Sequence, residues 1–356
     1  MLAGALTRPL DEDDDVMPSK RAKLSVAPEG MQMYLDLGMP MNEALTKSYT
    51  FFSPLPLANP DVNNNGNNSS NNSDNNNEGD GFVLGVDEAG RGPVLGPMVY
   101  ATCFCRESYY AQLSSIGFAD SKQLTETQRD QLFAKLQTTS VQQHTGWSIR
   151  CISPQDISHC MLRRTKYSLN ALAHDATIQL IRDALDRGVR ISKVFVDTVG
   201  PPQSYQKKLQ DLFPKIEITV AKKADSLYPI VSAASICAKV TRDAHLSNWV
   251  FAEQWLQSKL SKEYGSGYPG DPKTIKWLRD SVDQVFGYPG IIRFSWSTCV
   301  KLLEERAVKV VWADDEDAPK NKASKYFVRS GAADNRLRSK FFSRNKAIRL
   351  GSSLNQ

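Results

Sequence analysis

Two short apolar runs in this sequence end in carboxylates where a turn would ordinarily place neutral residues, and that pattern restricts the fold more than any other feature. Phe82 to Val86 runs into Asp87 and Glu88, and Val194 to Val196 runs into Asp197. Charged groups at the ends of buried strands are costly unless something compensates them, and a divalent cation is the natural partner. A further acid, Asp225, follows a strand ending near Val220 and precedes a long helix. An all-oxygen set without His or Cys selects a hard ion such as magnesium or manganese. Taken singly, each aspartate reads as an ordinary turn or helix cap. Taken together, beside Lys222, Lys223 and Lys239, they read as a metal-dependent phosphoryl-transfer site.

The pattern between these points predicts alternating strands and helices. Phe82–Val86 and Val94–Phe104 read as buried strands around a glycine-rich turn, Trp147–Ile152 as a third, Lys193–Val196 as a fourth and Ile216–Val220 as a fifth. Thr125 with Gln128 forms a capping box ahead of Leu132, Phe133 and Leu136, which recur at helical spacing. Leu169 to Arg187 reads as an amphipathic helix stopped by Gly188, and Tyr205 to Leu212 as a short one. Tyr228 to Leu256 predicts one long or kinked helix, Asp271-Pro272 opens another to about Val285, and Trp296 to Val308 is the last. The expectation is an α/β domain with a central mixed five-stranded sheet flanked by helices, plus a C-terminal helical region.

Composition sets the boundaries. Residues 1–80 hold acids from Asp11 to Asp15, scattered prolines and an asparagine run through Asn63 and Asn77, too little apolar surface to repay the entropy of ordering, so they predict a disordered arm. Within that arm Lys20, Arg21 and Lys23 form a compact basic cluster of the nuclear-import kind. Residues 81–312 are expected to be the catalytic domain, and 313–356 a basic flexible tail: Lys320 to Arg349 carries ten Lys or Arg against the single acid Asp334. The formal net charge of +5 thus lies in the tail, which either is an inert solvated run or attracts nucleic acid. The six cysteines include no C-x-x-C pair, and with four histidines they lack the spacing of a zinc site. No apolar run reaches the roughly eighteen residues that span a bilayer, so a soluble intracellular protein with no membrane partner is expected.

Between Glu88 and the second strand lies Ala89-Gly90-Arg91-Gly92-Pro93, where glycines let backbone amides approach a ligand and Arg91 can anchor a phosphate. The longer run G-V-D-E-A-G-R-G-P-V-L-G-P from Gly85 resembles the signature of type 2 ribonuclease H. The resemblance continues through D-S-K at Asp120 to Lys122, V-D-T-V-G-P at Val196 to Pro201, and K-K-A-D-S-L-Y at Lys222 to Tyr228. It extends to S-A-A-S-I-C-A-K-V at Ser232 to Val240 and G-S-G-Y-P at Gly265 to Pro269, while R-F-S-W from Arg293 is similar to the eukaryotic catalytic subunits in particular.

That resemblance implies a ribonuclease H-like fold in which Asp87, Glu88, Asp197 and Asp225 are catalytic and hold two magnesium or manganese ions. One ion would activate the attacking water and the other would stabilise the leaving 3′ oxygen, leaving 5′-phosphate and 3′-hydroxyl ends. It further implies an endoribonuclease acting on the RNA strand of RNA–DNA hybrids and 5′ of single ribonucleotides in duplex DNA, in replication and ribonucleotide removal in the nucleus. Gly90, Arg91 and Gly92 would contact the ribose 2′-hydroxyl, and Tyr268 would stack on the deoxyribose after the ribonucleotide. Lys122 and Arg242 are expected phosphate contacts. The family's heterotrimer implies two non-catalytic accessory subunits, docked after Arg293 on candidates Trp296, Leu302, Leu303, Val308 and Val311. The competing class is an inactive nucleic-acid-binding scaffold of the same fold, which would bind hybrid without magnesium-dependent cutting.

Overall fold

Each apolar run leaves its backbone donors and acceptors unpaired until a neighbouring strand takes them, and here one sheet takes most of them. The computed structural model describes residues 32–56, 81–118, 124–165, 167–198 and 200–309. In chain order the elements are α1 (Gln32–Asp36), β1 (Tyr49–Phe52), β2 (Phe82–Ala89), β3 (Met98–Arg106), α2 (Tyr110–Ile116), α3 (Glu126–Leu136), α4 (Thr139–Gln142), β4 (Thr145–Ile152) and α5 (Pro154–Leu162). They continue with α6 (Leu169–Asp186), β5 (Ile191–Asp197), α7 (Pro202–Leu212), β6 (Glu217–Ala221), α8 (Ala224–Leu227), α9 (Pro229–Ser247), α10 (Leu256–Lys259), α11 (Pro272–Ser281) and α12 (Ser297–Arg306).

The sheet has six strands in the order β1-β4-β3-β2-β5-β6, antiparallel from β1 to β2 and parallel from β2 to β6. The mixed α/β class is as expected, but the strand count is corrected from five to six. The added strand lies inside the segment expected to be disordered: Tyr49 pairs opposite Cys151, and Phe52 opposite Ser148. Tyr34 of α1 stacks on Phe133 with ring centroids 5.8 Å apart, and Met39 and Met41 are buried. Four residues followed by Pro54 are too short to show a period, and this strand is held by tertiary partners such as Trp147, whose ring centroid lies 5.1 Å from that of Phe51. The basic cluster at Lys20, the asparagine run and the basic tail lie outside the described residues.

Side chains alternate across β2, so Val83 and Ala89 face the core beneath α9 and α3, while Leu84 and Val86 face the core beneath α6 and α7. Gly85 is where α9 presses hardest on the sheet: a Cβ there would lie 2.5 Å from the carbonyl carbon of Ile230. From that contact two strand residues advance about 6.6 Å to Asp87, and five helix residues advance about 7.5 Å to Ser235. The close approach therefore brings α9 alongside the end of β2.

The expected caps are present. Thr125 and Gln128 form the reciprocal capping box of α3, Ser168 accepts from the Ala171 amide to open α6, and Asp271 accepts from the Lys273 amide to open α11. Three boundaries differ the most. β3 starts at Met98, because Val94 and Gly96 donate instead to Gly267 and Ile291 in distant loops. α9 ends at Ser247, after which Trp249 and Phe251 are buried as irregular chain. α11 ends at Ser281, because Asp283 accepts from the amides of Val285 and Phe286 and closes a turn. No helix among the described residues is long and apolar enough to cross a membrane.

Candidate active site

Strand register converts two separate sequence motifs into one site. β2 and β5 run parallel with Val86 beside Val196, so the next residues, Asp87 and Asp197, emerge together at the same sheet end. Glu88 follows on the opposite face of β2. Asp87, Glu88 and Asp197 bring carboxylate oxygens within 4.8 Å of one another, a spacing that could hold a metal ion.

The cluster crowds three acids into a buried place. Asp87 is buried, and desolvation first, then the charge of Asp197, raise its pKa to about 7 against the pull of Lys239 and a hydrogen bond from Ser235. Glu88 rises to about 8, again by desolvation first and then repulsion from Asp87 and Asp197, with Arg91 and Lys239 opposing. Such raised values report carboxylates that are buried and crowded together, and an oxygen-only donor set of this kind suits a hard divalent cation. The α9 side supplies a cation, Lys239, whose ammonium donates to the Ser235 hydroxyl one turn earlier. Asp197 is fixed by the Ala224 amide, which donates to its Oδ1 at 2.8 Å. Ala224 follows Lys223, the only non-glycine with positive φ (56°) among the described residues. Asp225, the next residue, is buried but is not part of the three-carboxylate cluster.

The glycine loop is anchored from below. Gly90 has φ 78°, and a Cβ there would lie 2.6 Å from the Pro97 carbonyl oxygen and 2.7 Å from Arg242 Nε. Arg293, fully buried, donates from Nη2 to Gly90 O at 2.6 Å, from Nη1 to Arg91 O at 3.1 Å and from Nε to Gly96 O at 2.9 Å. Trp296 donates its indole N–H to Gly92 O at 3.0 Å, and the Arg293 guanidinium sits over its ring at 4.9 Å. The Arg91 guanidinium donates to the Asn170 side chain, and Tyr268, half exposed, lies against Gly92, where an added Cβ would be 3.1 Å from its ring.

The structure thus gathers Asp87, Glu88, Asp197, Gly90, Arg91, Gly92 and Tyr268 around one sheet end. Arg242 sits under the loop rather than out on the surface, paired through Nη1 with Asp243 at 3.0 Å, with Nε and Nη2 buried and unbonded. Lys122 lies outside the described residues. Of the expected docking candidates, Leu302 is core, Leu303 is partly buried against it, Trp296 serves the loop, Val308 is exposed and Val311 falls outside the described residues. Arg293 opens the R-F-S-W motif, but the motif does not disclose its role beneath the loop; a lone arginine inside the apolar run Ile291-Ile292-Arg293-Phe294 is the signal that something must satisfy it.

A mixed sheet with carboxylates converging from two adjacent parallel strand ends, flanked by a glycine loop, defines a ribonuclease H-like nuclease. The model of the family described as ribonuclease HII matches residues 84–299. The chain belongs to that family and is an endoribonuclease of the ribonuclease H type. It is 54% identical over 263 residues to the A subunit of ribonuclease H2 from Bos taurus, covering 73% of this chain and 87% of the relative. It is 52% identical over 253 residues to the corresponding Homo sapiens protein, covering 70% and 83%. Among solved structures, the ribonuclease H2 from Pyrococcus horikoshii OT3 aligns with a TM-score of 0.52 at 36% identity, covering 63% of this chain and 98% of that one.

Proposed function

We propose that this chain is the catalytic subunit of a nuclear complex that hydrolyses the RNA strand of RNA–DNA hybrids and incises 5′ of single ribonucleotides in duplex DNA. The observation that carries the reading is the convergence of Asp87, Glu88 and Asp197 within 4.8 Å beside a glycine loop anchored by Arg293. Asp87, Glu88, Asp197 and Asp225 are the residues that would hold two magnesium or manganese ions. Bound there, the cations supply activation of water and stabilisation of the leaving 3′ oxygen.

The remaining work falls to the protein. The Ala224 amide keeps one Asp197 oxygen turned inward, and Ser235 with Lys239 orients Asp87. Because Arg293 and Trp296 occupy the carbonyls of Gly90, Arg91, Gly92 and Gly96, the loop's backbone is set before substrate arrives, which lowers the cost of reading a 2′-hydroxyl. Tyr268, beside Gly92, presents a ring to the sugar that follows the ribonucleotide. The relatives are each named as one subunit of ribonuclease H2, which supports assembly with accessory subunits, two in this reading. The basic cluster at Lys20 supports nuclear import.

The test compares three duplexes in magnesium, with the chain alone and with accessory subunits: one ribonucleotide in DNA, an RNA–DNA hybrid, and all DNA. Cutting of the first two only, with 5′-phosphate and 3′-hydroxyl ends, is expected. Binding of hybrid without cutting, even with partners, would replace this reading with the scaffold.

A further inference from the structure

The face of β2 that carries Glu88 opens onto a cleft that extends from the carboxylates between α6 and α7. One wall is the first half of α6, which presents Asn170 and His174 one turn apart; the other is the start of α7, with Ser204 and Tyr205. Glu88 and Asp197 form its inner end, and Arg91 reaches in from the glycine loop to bond Asn170.

We propose that this cleft is a subsite for the phosphate and sugar immediately upstream of the cut, recognised by Arg91, Asn170 and His174. The inference rests on the functional reading above and extends it to the 5′ side of the scissile bond. The chemistry of the walls selects this ligand. Arg91 supplies a fixed fork of donors for a phosphate, and the Asn170 amide it already engages supplies more. Ser204 and Thr198 add hydroxyls, while Ala173 and Pro201 leave an apolar strip of the kind a sugar ring covers. The His174 ring is stacked on Tyr205 with centroids 3.9 Å apart and planes at 12°, so its nitrogens are presented at a fixed angle. Burial, then the charges of Lys208 and Arg91, lower the His174 pKa, which keeps the imidazole neutral and hydrogen-bonding rather than charged.

Direction follows from the loop. Gly92 touches Tyr268 on one side, and Arg91 turns into the cleft on the other; Tyr268 does not line the cleft. If the sugar after the ribonucleotide meets Tyr268, the strand must cross the carboxylates and leave through the α6–α7 cleft.

The experiment uses the full chain in its reconstituted complex and a duplex with one ribonucleotide. The phosphodiester one step upstream of the scissile bond is either natural or a neutral methylphosphonate. For the wild type, neutralising that phosphate is expected to lower kcat/KM about tenfold, mostly through KM. Asn170→Ala and His174→Ala should each lose about as much on the natural duplex, and the methylphosphonate should then cost them less than about twofold more. A methylphosphonate on the downstream side should still penalise both variants as it does the wild type. Unchanged melting of both variants, with Asn170 exposed, separates this from misfolding. Multiplying losses, with wild-type enzyme active, would overturn the subsite while leaving the functional reading intact; a wild type that cuts no ribonucleotide duplex would remove both.

Discussion

At the scale of single residues, the site depends on two positions where substitution has no room. Gly90→Ala puts a Cβ 2.6 Å from the Pro97 carbonyl oxygen at φ 78°, so the loop must move. Cleavage at a lone ribonucleotide is expected to fall by at least about a hundredfold, with a stability loss of about 1–3 kcal/mol. Steady-state kinetics with a melting curve check this, and near-normal activity would show that the loop tolerates displacement. Arg293 is the second position. Burial, then the charge of Arg242, pull its pKa down to about 9, and it stays charged at neutral pH. Arg293→Met would strip donors from the carbonyls of Gly90, Arg91 and Gly96, costing about 3 kcal/mol and most of the ribonucleotide cleavage. Denaturant unfolding measures the first, and an unchanged midpoint would mean the carbonyls find other donors. These two residues differ in how well the sequence discloses them. Gly90 sits in a glycine-arginine-glycine run whose role is legible locally, whereas the partners of Arg293 lie about two hundred residues away and only folding reveals them.

At the scale of elements, helices with local caps are readable in the sequence and the edge strand is not. Thr125, Ser168 and Asp271 each mark a helix start through bonds within three residues. β1 instead depends on Tyr49 reaching His245 of α9, with its hydroxyl 2.7 Å from Nε2. Burial lowers the His245 pKa to about 4, so the ring that bonds Tyr49 is the neutral form. The folded value lies below the unfolded one of about 6.5, so this contribution is fully present above pH 6.5 and is lost as pH falls toward 4. Over that window the loss is on the order of 3 kcal/mol. Urea unfolding of wild type and His245→Leu at pH 7.5 and 5.5 isolates the effect, since the variant should lack this part of the slope; equal slopes would remove His245 as its cause. Tyr49→Phe should cost about 1 kcal/mol at pH 7.5 and at pH 5.5 alike, because the folded imidazole is neutral at both.

For the whole molecule, the parallel junction of β2 and β5 is the feature that turns an ordinary α/β sheet into a site, and it is the step the sequence alone does not supply. Both strand-end acids are visible in the chain, but Asp87 and Asp197 are neighbours only because Val86 pairs with Val196. Concentrating carboxylates there works against stability. Asp87 and Glu88, raised to about 7 and about 8, bind protons in the folded state that the unfolded chain releases near pH 4. Folding is therefore favoured below that range and loses stability as pH rises through 7 and 8. A divalent cation that replaces those protons should cancel the slope, so magnesium is expected to raise the melting temperature more at pH 8.5 than at pH 6. Asp197→Asn removes one of the repelling charges, and should raise the metal-free melting temperature at pH 8.5, suppress the magnesium response and abolish cleavage. Magnesium binding by wild type at pH 7, followed calorimetrically in buffers of different ionisation enthalpy, should release about one proton, falling toward none at pH 9.5. Zero release at pH 7 would mean that the carboxylates are already ionised before the cation arrives, and that Lys239 and Arg91 balance them more fully than the buried geometry implies.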